Sequence, residues 1–162
     1  MKFKKTNRFA DRGKETENAV QDYLGWWQER SVYREFNRLP DTKAAGRIIK
    51  AAPADFDYYM GSLAGNPPAF GLIEAKETEH EYRLSRDKIS QLPRLRKREK
   101  CGGVCPILVY HSTIEKWRVI PRASMLMEFG DKGSWDLRGF PTFDGADEAL
   151  NDAHPYVFEV KP

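Results

Sequence analysis

The chain has 162 residues, 40% of them hydrophobic and 31% charged, with a formal net charge of +3. That length suits one domain with a real core, and the composition is that of a soluble globular protein. No apolar run approaches the roughly 18 residues of a membrane span, and the basic N-terminus has no apolar stretch behind it to act as a secretory signal.

The first predicted element is a helix over 11–30, where Val20, Leu24 and Trp27 recur at helical spacing with charges between them. Asp11 stands where it could cap that helix. SVYREF at 31–36 alternates well enough for a strand, 38–46 is a turn-rich connection, and 47–51 could be a short strand. ADFDYYMG at 54–61 is β-prone through its aromatics. AGNPP at 64–68 signals a turn. AFGLIEAK at 69–76 reads as a buried strand, so the two strands form a hairpin. Residues 85–100 look helical, with Ile89, Leu92 and Leu95 on one face and a kink or restart at Pro93. Gly102-Gly103 stops that helix. Strands follow at 104–111 and 115–120, a brief helix at 121–129, a loop rich in Gly and Asp, and a final edge strand at 156–160. The whole is α/β: a mixed sheet flanked by helices, with 1–10 as a basic arm and 123–162 as an acidic C-terminal extension of one domain.

Charge is unevenly spread. Residues 1–14 carry six Lys/Arg and one acid, residues 83–100 carry eight and two, and residues 123–162 carry three basic and eight acidic side chains. A polyanion partner fits that asymmetry, although a basic run by itself is most often a solvated helix face. The cysteines, Cys101 and Cys105, are too few for a disulfide framework and lack zinc-site spacing, which fits free thiols in a cytoplasmic protein. His80, His111 and His154 have no ligand spacing, and His111, ending a strand, reads as structural.

The pattern acid-x-Lys occurs three times, at Asp41-Thr42-Lys43, Glu74-Ala75-Lys76 and Glu159-Val160-Lys161. Only Glu74 follows a buried strand, with an acidic strand before it and a basic segment after it. Asp57 lies 17 positions upstream, across the hairpin. Two converging carboxylates, Asp57 and Glu74, with the Ala75 carbonyl would make a hard oxygen site for Mg²⁺ or Mn²⁺. Asp55 shares the strand parity of Asp57 and competes with it; Asp57 is preferred, with Asp55 as outer support. Lys76 shares parity with Glu74 and so faces the same side. It could orient or deprotonate an attacking water, or stabilise the phosphate in its transition state.

These residues resemble the PD-(D/E)xK nuclease superfamily, and within it the RecU family of bacterial Holliday junction resolvases. IEAKET at 73–78 is similar to the family's core strand, DYYMG at 57–61 to its upstream acidic motif, and RGKETE at 12–17 to the opening of its first helix. The family's His-Gln pair reads Ser90-Gln91 here, so that imidazole is absent. The resemblance covers roughly residues 11–122 and implies a restriction-endonuclease-like fold. It implies Asp57 and Glu74 as metal ligands and Lys76 as the catalytic lysine. Glu17 would be an auxiliary acid, Gln91 a contact to the scissile phosphate, and Thr78 a DNA-backbone contact. The family's projecting stalk corresponds to a short stretch, 39–54, in which Lys43, Arg47 and Lys50 could form a small basic projection.

Phosphate contacts are expected from the N-terminal region, Arg12 included, and from Arg83, Arg86, Lys88, Arg94, Arg96, Lys97 and Arg98. The expected activity is Mg²⁺-dependent hydrolysis of branched double-stranded DNA, a four-way junction, by a homodimer in the cytoplasm, at a bacterial nucleoid or in a phage-infected cell. A phage or mobile-element nuclease acting on flaps, ends or duplex is the alternative. A non-catalytic module binding branched DNA would require a lost catalytic residue, and none is lost.

Overall fold

The computed structural model describes residues 8–40, 52–127 and 133–162, with side chains of the first helix described from Gly13 onward. Helix α1 (Arg8–Glu29) buries Val20, Tyr23, Leu24 and Trp27, the face its periodicity predicts. It starts before Asp11, which therefore lies inside the helix and does not cap it. β1 (Arg34–Arg38) starts three residues later than expected, because Ser31 to Arg34 closes a turn through Arg34 N–H to Ser31 O.

β2 (Phe56–Met60) and β3 (Ala69–Thr78) form the expected antiparallel hairpin, with Phe56 opposite Ile73. After β3 come β4 (Arg83–Ser85), a 3-10 turn (Arg86–Lys88), α2 (Leu92–Lys100), β5 (Ile107–His111) and β6 (Lys116–Val119). The chain closes with α3 (Arg122–Leu126), β7 (Ser134–Asp136) and α4 (Ala146–Ala153). Among the described residues the main sheet has the order β1-β2-β3-β5-β6, with β3 and β5 parallel and the other neighbours antiparallel. β4 and β7 pair separately as a two-stranded ribbon. This is the mixed sheet flanked by helices that the sequence predicts.

Strand alternation gives each face of the sheet its own core. Phe56, Tyr58, Ile73, Ala75 and Leu108 pack with α1 and α4 on one face. Leu72, Ile107 and Val109 pack with Leu92 and Leu95 of α2 and with Leu84, Trp135 and Leu137 around the ribbon on the other. β3 sits mid-sheet, so its C-terminal half is walled on both faces.

Three expectations change. The helix predicted over 85–100 is only its second half. Of the kink or restart expected at Pro93, the structure has the restart: Pro93 sits in the first turn of α2, where its missing N–H costs nothing. The C-terminal stop is as predicted: Gly102 takes φ +88°, and the N–H groups of Gly102 and Gly103 close on Glu99 O and Arg98 O. The loop rich in Gly and Asp contains β7 and α4. Residues 156–160 form no strand, because side chains hold their carbonyls: Trp27 Nε1 donates to Val157 O, Asn151 Nδ2 to Phe158 O, and the Tyr23 hydroxyl to Glu159 O. Phe158 is still fully buried, against Trp27 and Tyr58. The strand expected at 47–51 lies outside the described residues.

Gly71 is the tightest point of the sheet. A Cβ there would stand 1.7 Å from the Val104 carbonyl oxygen, which also accepts the Tyr58 hydroxyl at 2.9 Å. Gly71→Ala must displace backbone and is expected to destabilise the fold by about 3 kcal/mol or more. Urea denaturation would measure it, and a midpoint equal to wild type would show that the strand gives way easily.

Candidate active site

β3 carries Glu74 and Lys76 out along one face. The Glu74 side chain is completely buried, and neither carboxylate oxygen receives a well-aligned hydrogen bond. It forms an ion pair with Lys76, whose Nζ lies 2.5 Å from Oε1. The paired register ends at Phe56–Ile73, and the next residue, Asp55, donates its N–H to Ile73 O at 3.2 Å, which keeps it against β3 beside Glu74. Asp55 is held there: its Oδ2 accepts the Ala75 backbone N–H at 2.8 Å.

The three side chains form one electrostatic unit. Burial, then the charge of Asp55, pushes the Glu74 carboxyl up to about 7, with Lys76 opposing. Burial also raises Asp55, against the pull of Lys76 and the Ala75 N–H. Burial works against the Lys76 charge, but Glu74 and Asp55 together outweigh it and raise its pKa, so the side chain stays an ammonium. Glu17 of α1 adds further negative charge to all three.

Asp57, the aspartate preferred from sequence, shares this face but points elsewhere. It pairs with Leu72, and its Oδ1 accepts Asn37 Nδ2 across β1 at 2.9 Å. It stands two residues, about 7 Å of strand, from Asp55. Asp55 therefore takes the place beside Glu74 that the sequence reading gave to Asp57. The shared parity of 55 and 57 left both open, and only the register separates them.

The donor set fits a hard cation. A buried and a half-buried carboxylate lie together against one ammonium, and Glu74 Oε2 has no hydrogen-bond partner; a divalent ion would supply it. Among the described residues no group of three or more His, Cys, Asp or Glu side chains converges, so Asp55, Glu74 and a backbone carbonyl such as that of Ala75 would leave the remaining positions to water.

The mouth of the site is an open cleft of about 610 Å³ whose lining includes Glu17, Ala75, Lys76, Thr78, Arg83 and Lys88. Thr78 is buried, and its hydroxyl accepts the His80 N–H. Glu17 is not a free acid: Arg38 of β1 donates to it at 2.7 Å while also holding Gln21 and Asn18. No sequence signal marks Arg38, because its three partners lie on another element.

Other candidates fall outside the cleft. Gln91 stands at the N-cap position of α2 without a side-chain cap bond, and its Oε1 accepts from Ser90 Oγ. Arg94, Lys97 and Arg98 line a separate groove with Pro53 and Leu72, and the Arg98 guanidinium lies 6.0 Å from the Phe70 ring centroid. Arg86 lies over the Trp135 ring. Arg96 does not fit the DNA-contact role: it is buried, and it donates to Met125 O and Met127 O, which fixes α3 to α2. His111 is buried, its Nδ1 against His80 O, as a structural histidine. Lys43, Arg47 and Lys50 lie outside the described residues, as does the side chain of Arg12.

No protein-family profile and no curated protein matches the chain. Thirteen chains of solved structures resemble it. One is Hjc, a Holliday junction resolvase from the archaeal hyperthermophile Archaeoglobus fulgidus, which aligns with a TM-score of 0.49 and 17% identity over 85% of this chain and 97% of its own.

Proposed function

We propose that the chain is a divalent-metal-dependent endonuclease that hydrolyses phosphodiester bonds in branched DNA, a four-way junction being its expected substrate. The observation that carries this reading is the fully buried Glu74 carboxylate with the half-buried Asp55 and the Lys76 ammonium beside it, opening on a cleft edged by Arg83 and Lys88.

Asp55 and Glu74, with the Ala75 carbonyl, would hold Mg²⁺ or Mn²⁺. When bound, such an ion neutralises phosphate oxygens and acidifies a water for in-line attack. Lys76 stays cationic, so it stabilises the charge that builds on the phosphate and orients the nucleophile; the raised pKa argues against a role as general base. Glu17, fixed by Arg38, supports the charge balance at the mouth. The burial of Glu74 and the Ala75 N–H bond to Asp55 keep the geometry of the pair set before substrate arrives.

The branched substrate rests on the sequence: IEAKET, DYYMG and RGKETE resemble RecU resolvases. A homodimer would present two such clefts to opposed strands, as resolution of a junction requires. Binding is expected to be led by phosphate contacts and so to weaken steeply with salt.

The test is cleavage of a labelled four-way junction, a flap and a linear duplex of matched sequence, with Mg²⁺, with Mn²⁺ and with EDTA. Metal-dependent nicking that favours the junction is expected. Equal rates on all three substrates would replace the resolvase by a general DNA nuclease, and junction binding without cleavage in any metal would leave a binding module.

A further inference from the structure

The ribbon formed by β4 and β7 makes one wall of the cleft. Its ladder runs from Arg86 N–H to Gly133 O, through the pair Leu84–Trp135, to Leu137 N–H on Tyr82 O. Alternation gives it two faces. Leu84, Trp135 and Leu137 are buried in the core, whereas Arg83, Ser85, Ser134 and Asp136 point the other way. Arg83, Ser85 and Ser134, with Lys88 from the turn that follows β4, line the cleft that Glu17 of α1 also lines.

The cleft is divided by sign. Glu17, Glu77 and Glu79 come from α1 and from β3 with the turn after it, while Arg83 and Lys88 come from the ribbon side. A phosphodiester backbone passing Lys76 is repelled by the first side and attracted by the second.

An acid stands directly across the ribbon from Arg83. Asp136 is the cross-strand partner of Arg83, the position from which a carboxylate would ordinarily pair with that guanidinium. It is occupied instead by Arg138, whose Nε lies 3.0 and 3.1 Å from the two carboxylate oxygens and whose Nη2 lies 2.5 Å from Oδ2. Those hydrogen bonds hold the Asp136 carboxyl down at about 2. Both guanidiniums rest on the Tyr82 ring, Arg138 at 4.6 Å and Arg83 at 5.4 Å. Arg138 lies in the segment that composition marks as acidic, yet its effect is to leave Arg83 available.

We propose that the β4–β7 ribbon is the DNA-backbone grip of the cleft, with Arg83 and Lys88 contacting phosphates and Arg138 acting as a positioning residue that keeps Asp136 from neutralising Arg83. This rests on the nuclease reading for its substrate and adds the surface that holds it. Ser85 and Ser134, paired across the ribbon, supply hydroxyl donors along the same track.

The test is anisotropy binding of a fluorescein-labelled four-way junction in Ca²⁺ across a salt series, with thermal melts confirming that each variant is folded. R83Q/K88Q is expected to bind at least about 10-fold more weakly, with a salt slope shallower by about two phosphates. R138Q should weaken binding about 3-fold, and D136N/R138Q should recover wild-type affinity, because the acid that Arg138 restrains is gone. A folded R83Q/K88Q that binds as wild type does overturns the grip. A loss in R138Q that D136N does not restore overturns the positioning role. The nuclease reading fails separately, through a wild type that binds the junction and cleaves nothing; these binding differences would then still support the ribbon. A wild type that binds no DNA overturns both.

Discussion

Glu74→Gln is expected to lower metal-dependent cleavage at least about 100-fold while leaving the fold as stable as wild type, or more so. The carboxylate is fully buried without a well-aligned donor, a state that costs folding free energy and is tolerated because a cation can use it. Glutamine keeps the shape and removes the charge. Lys76→Met should lose activity to a similar extent for the opposite reason. It removes the ammonium, which lies 2.5 Å from Glu74 Oε1, and strands a buried carboxylate. That stranding is expected to cost up to about 3 kcal/mol, tempered because the Lys76 side chain is partly exposed. E74Q/K76M then separates the two effects: stability should return toward wild type while activity stays lost. Thermal melts with and without Mn²⁺ give the second readout, since an ion that binds the folded site raises the melting temperature of wild type and not of Glu74→Gln. An active Glu74→Gln enzyme, or one that Mn²⁺ still stabilises, would move the site elsewhere.

What the sequence conveys and what it withholds follow from the range of the forces involved. α1, the β2–β3 hairpin, β5 and β6 are legible because periodicity and turn chemistry act within a few residues, and Val20, Leu24 and Trp27 are buried as their spacing says. Glu74 and Lys76 are legible for the same reason, being two positions apart on one strand. The basic stretch 83–100 is not, because its charges serve different places: Arg83 and Lys88 reach the cleft, Arg86 lies over Trp135, buried Arg96 braces α3, and Arg94, Lys97 and Arg98 edge another groove. Composition counts such charges together, and only tertiary pairing distributes them. The tail at 156–160 has the alternation of a strand but lies where Trp27, Asn151 and Tyr23 already hold its carbonyls. The ribbon joins segments some fifty residues apart, beyond the reach of any local pattern.

The second large effect decides between two aspartates on one strand. Asp55→Asn is expected to reduce cleavage at least about 100-fold and to weaken Mn²⁺ binding at least about 10-fold, whereas Asp57→Asn stays within about 3-fold of wild type in both. The two positions have the same parity, so neither hydropathy nor spacing ranks them. The hydrogen bonds do: Asp55 donates its N–H to Ile73 O, accepts the Ala75 N–H, and loads its charge onto both Glu74 and Lys76. Asp57 falls opposite Leu72 and is engaged by Asn37 of β1. Asparagine at 55 can still accept the Ala75 N–H through its amide oxygen, so the hairpin stays closed and the loss is one of charge. Asparagine at 57 keeps an acceptor for Asn37 in the same way, which makes the two variants a matched pair. Calorimetric Mn²⁺ titration of both, beside junction cleavage, gives the answer without relying on activity alone. The opposite ranking, with Asp57→Asn inactive and Asp55→Asn unimpaired, would mean that the hairpin slides by two residues when the ion binds, because only that shift carries Asp57 to the place beside Glu74 without turning its side chain to the other face.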